Sequence, residues 1–328
     1  MIMKHIIFKS AVAVLVSAVT FISCNNEDKF VSDVSNQNAE VEILIKELQN
    51  LNEETLAEYG KTIDFTTRAT IPINKDTPEL EQAKMKWWKR LLSVIAADAV
   101  GAACGNHFAG PAGGVIVGAG ASLLMYWATG CGSAINNQGI GNDFSQDDLS
   151  AYTIVMDSIF YNMNNDITDF DKIGDCHNTI VLEILKNQDY YVNADGSLNE
   201  DILIQKIKST AQTMGYNTTS INTARIKNEL NRISDARAAC VDSTFEVQIE
   251  SYATLLPDKK NEISILKDYI NTAASLPNVE AVKKYSAAFE NKLYYSQVTG
   301  LDKKMIFAAE SVAKNSAVGW TVASTYKP

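Results

Sequence analysis

Residues 87–129, WWKRLLSVIAADAVGAACGNHFAGPAGGVIVGAGASLLMYWAT, constrain this chain more than any other stretch. Gly110, Gly114 and Gly118 recur every four residues, and Gly101 and Gly105 do the same in the preceding leg. Glycines at i, i+4 and i+8 line one face of a helix, so a second helix can approach nearly to backbone contact. The pattern predicts a helical hairpin packed through these glycines. Leg one runs to about 105, a turn spans Gly105–Pro111, and leg two starts at about 112, with Pro111 suited to its first turn.

Such a hairpin has two possible settings, the centre of a soluble bundle or a membrane. Leg two offers 18 uncharged residues, 112–129, and Lys84, Lys86, Lys89 and Arg90 around Trp87-Trp88 would supply a basic aromatic anchor at an interface. Leg one argues the other way. From Leu91 to Gly105 it has 15 residues, short of the roughly 20 that span a bilayer, and it carries Asp98. An acid at bilayer depth costs about 2.5–3.5 kcal/mol. A buried core hairpin is therefore expected, with Asp98 needing a buried partner such as Ser122 or a donor from the C-terminal half. The segment resembles the glycine-zipper hairpins of membrane-active proteins and two-peptide bacteriocins, which makes membrane activity the alternative.

The remaining chain reads as helix. Val41, Leu44, Leu48 and Leu51 form an amphipathic stripe, as do Ile226, Leu230, Ile233, Ala236 and Cys240, continuing through Phe245, Ile249, Tyr252 and Leu256. Ile263, Leu266, Ile270 and Ala273 follow Pro257, Pro277 ends that helix, and Val279, Val282 and Phe289 begin the next. Leu301, Met305, Ala308 and Val312 mark the last. No period-two run is long enough for a sheet, so the expected fold is all-α, a multi-helix bundle of about seven to nine helices. The Gly/Asn-rich stretch 130–143 is the best candidate hinge.

The N-terminus carries an address. Lys4 and Lys9 precede the apolar run 10–22, too short for a span and suited to an export signal. The run ends Phe21-Ile22-Ser23-Cys24, which resembles the lipobox of bacterial lipoproteins. That resemblance implies cleavage before Cys24, lipidation of Cys24 by acyl chains such as palmitate, and attachment to a membrane through that lipid. Asn25-Asn26-Glu27-Asp28 resembles the acidic tether of surface lipoproteins of the Bacteroidota. The organisation expected is a signal peptide at 1–23, a flexible tether at 24–38 and a helical domain at 39–328, lipid-anchored at the outer membrane of the cell envelope and exposed at the cell surface or not.

The full chain of 328 residues has a net charge of −10, which becomes −12 over the 305 residues from Cys24 onward. An acidic chain lacks the surface that counterion release requires, so no nucleic-acid partner is expected. Besides Cys24 there are Cys104, Cys131, Cys176 and Cys240, which allow three full pairings. A Cys104–Cys131 bond would contradict the hairpin, whose second leg holds them about 30 Å apart. Four small buried thiols are the competing reading.

Chemistry-bearing residues are scarce. His107 falls in the Gly-rich turn. His177 lies in Asp171-Lys172-Ile173-Gly174-Asp175-Cys176-His177-Asn178, ahead of Ile180, Val181, Ile184 and Leu185, with Asp175 suited to a helix N-cap. A catalytic reading would make Cys176 the nucleophile and His177 its base. Neighbours on a helix point about 100° apart, so they form no dyad. Asn193-Ala194-Asp195-Gly196-Ser197-Leu198 resembles part of a calcium loop, yet Tyr191 and Ile202 stand where its end ligands belong, so it reads as a turn before a helix capped by Asn199. No catalytic residue, metal site or cofactor is assigned. The Ile173-Gly174-x-x-His177-Asn178 step is similar to a motif in helical proteins of the Bacteroidota to which no activity is attached. Ala96-Ala97-Asp98…Gly101 and Ala308-Ala309…Val312-Ala313…Ser316…Trp320 resemble the same set, which marks Asp98, His177 and Asn178 as candidate functional or core polar residues. The expected function is that of a non-enzymatic, envelope-anchored lipoprotein, binding or structural, with a bacteriocin- or toxin-like protein as the alternative.

Overall fold

The computed structural model describes residues 38–59, 78–128, 165, 167–194, 197–239, 245–277 and 279–325. The signal, Cys24, the tether up to residue 37, the 130–143 stretch, Cys131, Cys240 and the side chains of Lys84, Lys86, Trp87, Trp88, Lys89, Arg90 and Trp320 lie outside the described residues.

Among the described residues there are nine α-helices: α1 (38–59), α2 (Pro78–Ala128), α3 (Asp171–Leu185), α4 (Glu200–Thr213), α5 (Thr223–Ala238), α6 (Phe245–Ala253), α7 (Lys260–Ser275), α8 (Val279–Tyr295) and α9 (Lys303–Thr325). The fold is all-α, with one isolated bridge between Val192 and Leu198. Local sequence explains several ends. The Asn199 side chain accepts from the Ile202 N–H at the start of α4, and Asn222 accepts from Ala224 and Arg225 at the start of α5. The stripe read from Ile226 to Leu256 is divided between α5 and α6, which end and begin at Ala238 and Phe245. Asp175 is not an N-cap. Helix α3 begins four residues earlier, at Asp171, and has no side-chain cap.

Helix α2 is the predicted hairpin with a tighter turn. Its backbone leaves helical geometry only at Ala109 (φ −143°, ψ 17°) and Gly110 (φ 64°, ψ −159°), and Pro111 opens the second leg. Leg one therefore runs on through His107 and Phe108, three residues beyond the expected stop at Gly105. Gly110 is a turn glycine and not a packing one: nothing lies within 4 Å of where its Cβ would be, and its φ/ψ pair is essentially glycine-only. Gly113 takes the place in the seam that the four-residue spacing gave to Gly110. A Cβ on Gly105 would fall under 3.0 Å from the Gly113 carbonyl, and one on Gly113 under 3.0 Å from the Gly105 carbonyl. Further from the turn, Gly101 meets the Val117 carbonyl, Gly114 faces the Ala102 carbonyl and Gly118 faces the Asp98 carbonyl, so the legs run antiparallel.

The hairpin lies at the centre of the bundle. Ser93 to Asn106 and Gly113 to Leu123 are buried throughout, and the tip, His107 to Ala112, reaches solvent. Helix α9 packs along it, itself buried at every position from Met305 to Val318. Helices α3, α5, α7 and α8 close around this pair, each contributing one apolar face.

The seam makes a graded prediction for chemical denaturation. Gly105→Ala should lose about 3 kcal/mol or more, because a methyl group meets backbone that cannot yield. Gly110→Ala has open space and should lose only the conformational cost, about 1–3 kcal/mol. Equal stability of wild type and Gly105→Ala would refute the close approach of the two legs.

Candidate functional site

Asp98, on leg one, is fully buried, and α9 supplies its partner: Ser316 Oγ donates to Asp98 Oδ2 at 2.5 Å. Ser122, on leg two, faces the same carboxyl group. From α3, the His177 imidazole brings Nε2 to 3.9 Å from Asp98 Oδ2, while its Nδ1 bonds Asn178 Oδ1 at 2.7 Å. Three elements and both hairpin legs thus bring together Asp98, Ser122, His177, Asn178 and Ser316. Gly118 lies beside the ring: a Cβ there would stand 3.4 Å from His177 Cδ2.

Burial decides the protonation of this cluster. It pushes the Asp98 carboxyl up to about 8 against the pull of the Ser316 and Ser122 hydroxyls, and it pushes the His177 imidazole down to about 4 against Asn178 and the Gly118 backbone. Near neutral pH the acid keeps its proton and the base lacks one, so the pair is uncharged. Burial also pushes the Cys104 and Cys176 thiols up to about 12. Both are free thiols, held in their non-nucleophilic form.

A second buried cluster carries real charge, and no sequence signal pointed to it. Lys314 Nζ, on α9, donates to Asp171 Oδ1 and to Glu290 Oε1, both at 2.5 Å, and lies 4.0 Å from Glu310 Oε2. Asn165 completes the two carboxylates, its N–H donating to Asp171 Oδ2 and its Nδ2 to Glu290 Oε2, both at 3.1 Å. Burial, with the Glu290 charge beside it, pushes Glu310 well above the usual carboxylate range. One oxygen from each of Asp171, Glu290 and Glu310 lies within 4.8 Å of the others, a spacing a metal ion could use, and the Lys314 ammonium already stands among them. Neighbouring bonds fasten α3 to α9: the Gly174 N–H donates to Ser311 Oγ at 2.9 Å, and Ser311 Oγ donates to the Asp171 carbonyl at 2.8 Å. Beyond this cluster, Tyr285 donates to Asn52 at 2.6 Å, which ties α8 to α1.

His107 behaves as a surface residue, 42% exposed and 3.9 Å from Asp302. The open surface offers a shallow groove between α6 and α7, with Ile249, Ala253, Pro257 and Ile263 at its base and Lys260 and Lys267 on its rim. Tyr294, Tyr295 and Ile43 are exposed apolar side chains. Against known protein families, curated proteins and solved structures, the chain finds no match.

The two opposed shifts fix a pH dependence. His177, depressed from 6.5, costs stability as pH falls from 6.5 toward 4. Asp98, raised from 3.8, contributes stability that is lost as pH rises from 3.8 through 8. The two oppose each other between 4 and 6.5, and Asp98 acts without His177 between 6.5 and 8. Its share of the fall in that upper window is about 2 kcal/mol. Urea denaturation at pH 6.5 and pH 8 should show wild type losing that much more than Asp98→Asn; parallel losses would contradict the retained proton.

Proposed function

We propose that this protein is an envelope lipoprotein, of the kind found in the Bacteroidota, held at the outer membrane through lipid on Cys24. Its helical domain works without catalysis, as a binding or structural element. The observation that carries the non-enzymatic part is where the reactive side chains lie. Asp98, His177, Lys314, Glu290 and Glu310 are all at most 1% exposed, and the hydrogen bonds of Asp98 and Lys314 join helix to helix. A substrate would have to enter the centre of the bundle to reach any of them, and the two described thiols are protonated and buried. The lipid anchor is supported by the Ser23-Cys24 step after the apolar run and by the acidic Glu27-Asp28 beyond it. Expression in a bacterial envelope with radiolabelled palmitate tests the anchor. Wild type should take up label and fractionate with membranes, and Cys24→Ser should do neither; label retained by Cys24→Ser would overturn the assignment.

One observation favours a second, membrane-active reading. Leu92–Trp127 spans 36 residues with a mean hydropathy of 1.6 in its most apolar window, apolar enough for a bilayer, with the turn at Ala109–Gly110 dividing it into two legs. The proton retained on Asp98 lightens the charge cost that counted against leg one. Against it, 72% of that window is enclosed by the bundle. Dye-loaded lipid vesicles separate the readings. Leakage caused by the mature protein and abolished in Gly114→Leu would favour insertion, and a stable monomer that leaves vesicles sealed would eliminate it.

A further inference from the structure

We propose that Lys314 and Asp171 join in an amide bond, a covalent cross-link between α9 and α3 that the folded protein makes by itself. The reactants stand in contact. Lys314 Nζ lies 2.5 Å from Asp171 Oδ1, which places it about 3 Å from the carboxyl carbon, within near-attack range. Its second partner, Glu290 Oε1 on α8, is also at 2.5 Å. Lys314, Asp171 and Glu290 are exposed by 0%, 3% and 0%. No substrate enters, because the reaction takes place once, on the chain's own side chains.

An ammonium and a carboxylate do not condense in water, because hydration stabilises both charges. In a core that hydration is missing, the amide is neutral, and the water released returns to solvent. Burial works against the Lys314 ammonium, but the three carboxylates around it outweigh burial and raise the amine above its ordinary range. The reaction therefore starts with a proton transfer inside the contact, not from an amine already free.

The cluster supplies each part of this chemistry. Lys314 gives one proton across its hydrogen bond to Asp171 Oδ1, leaving a neutral amine beside a neutral carboxyl group. The nitrogen lone pair attacks Asp171 Cγ, the N–C bond forms, and the carbonyl electron pair moves to Oδ2. There the Asn165 backbone N–H, 3.1 Å away, donates to the developing oxyanion. Glu290 Oε1 takes a second proton from Nζ and returns it to Oδ1. The Cγ–Oδ1 bond then breaks, water leaves, and the carbonyl reforms on Oδ2. Of the three ammonium protons, two depart in the water and one stays on the amide, and Glu290 ends as it began. Asn165 Nδ2 holds the other oxygen of Glu290 at 3.1 Å, which fixes that carboxylate for the transfer. Asp171 is the group attacked because its Oδ2 has a backbone donor, where Glu290 has a side-chain amide. The bond would span 143 positions of sequence and hold α9 to α3 even when packing is lost.

Tandem mass spectrometry tests this on wild-type protein held folded overnight near neutral pH and then digested. The peptides carrying Asp171 and Lys314 should be found joined, their summed mass lower by one water. Before digestion, joined chains should run ahead of unjoined ones in a denaturing gel. Glu290→Gln, which keeps the shape and removes the proton carrier, should slow joining about a hundredfold. Separate Asp171 and Lys314 peptides at full mass in wild type overturn the proposal, and that readout decides the matter if Glu290→Gln fails to fold. A bond from Lys314 to Glu290 overturns the choice of Asp171, and an unchanged rate in folded Glu290→Gln overturns the proton transfer assigned to Glu290.

Discussion

Backbone lies on backbone where the two legs of α2 cross, and the rest of the molecule is arranged around that contact. Gly105 and Gly113 admit no Cβ at their closest approach, and Gly101 meets the Val117 carbonyl one turn further from the tip. Each helical glycine costs about 1 kcal/mol relative to alanine, so the seam is favourable only because tight packing and Cα–H···O contacts offset that cost. A seam without side chains leaves no room for sliding. Positions along leg one are consequently fixed against positions along leg two, and Asp98, Ser122 and Gly118 come to one level of the bundle.

At that level the hairpin meets α9, a helix enclosed on every side. Fourteen consecutive enclosed positions would ordinarily be apolar all round. Here they include Glu310, Ser311, Lys314, Asn315 and Ser316. Burying these groups is expensive, and two features hold the cost down. Burial pushes Asp98 up to about 8 and Glu310 well above the usual carboxylate range, which favours their neutral forms. The charges that remain meet directly, Lys314 with Asp171 and Glu290. Pairs of this kind add little net stability compared with well-packed apolar residues, but removing one partner leaves an uncompensated buried charge. Their effect is to make one register of α9 far better than its neighbours, because a shift of one residue would move Lys314 away from both carboxylates.

Much of this was legible in the residues, and the limits of legibility have physical causes. Helical periodicity exposed the bundle, and the glycine spacing exposed the hairpin, because both are local patterns. The expectation that Asp98 would need a buried partner, Ser122 or a donor from the C-terminal half, followed from burial, and both Ser122 and Ser316 face it. The turn was drawn too wide because a four-residue repeat counts Gly110 with Gly114 and Gly118. The distinction between a glycine needed for φ 64° and one needed for close approach lies in the backbone. The Lys314 cluster was invisible for another reason. Its members stand at 171, 290, 310 and 314, and a lysine with acidic residues on separate helices reads, in sequence, as ordinary solvated surface.

The short motifs around Asp98, His177 and Ser316 have a physical reading. Asp98 and Gly101 on the hairpin, Gly174, His177 and Asn178 on α3, and Ser316 on α9 meet around one buried region. Gly174 is small because the α9 backbone passes over it, Gly118 lies beside the His177 ring, and Ser316 gives Asp98 its donor. Each choice answers to another chosen residue. Together these residues specify how three elements cross. Substitution in the exposed faces, such as the α6–α7 groove and the Tyr294–Tyr295 end of α8, leaves this central crossing intact.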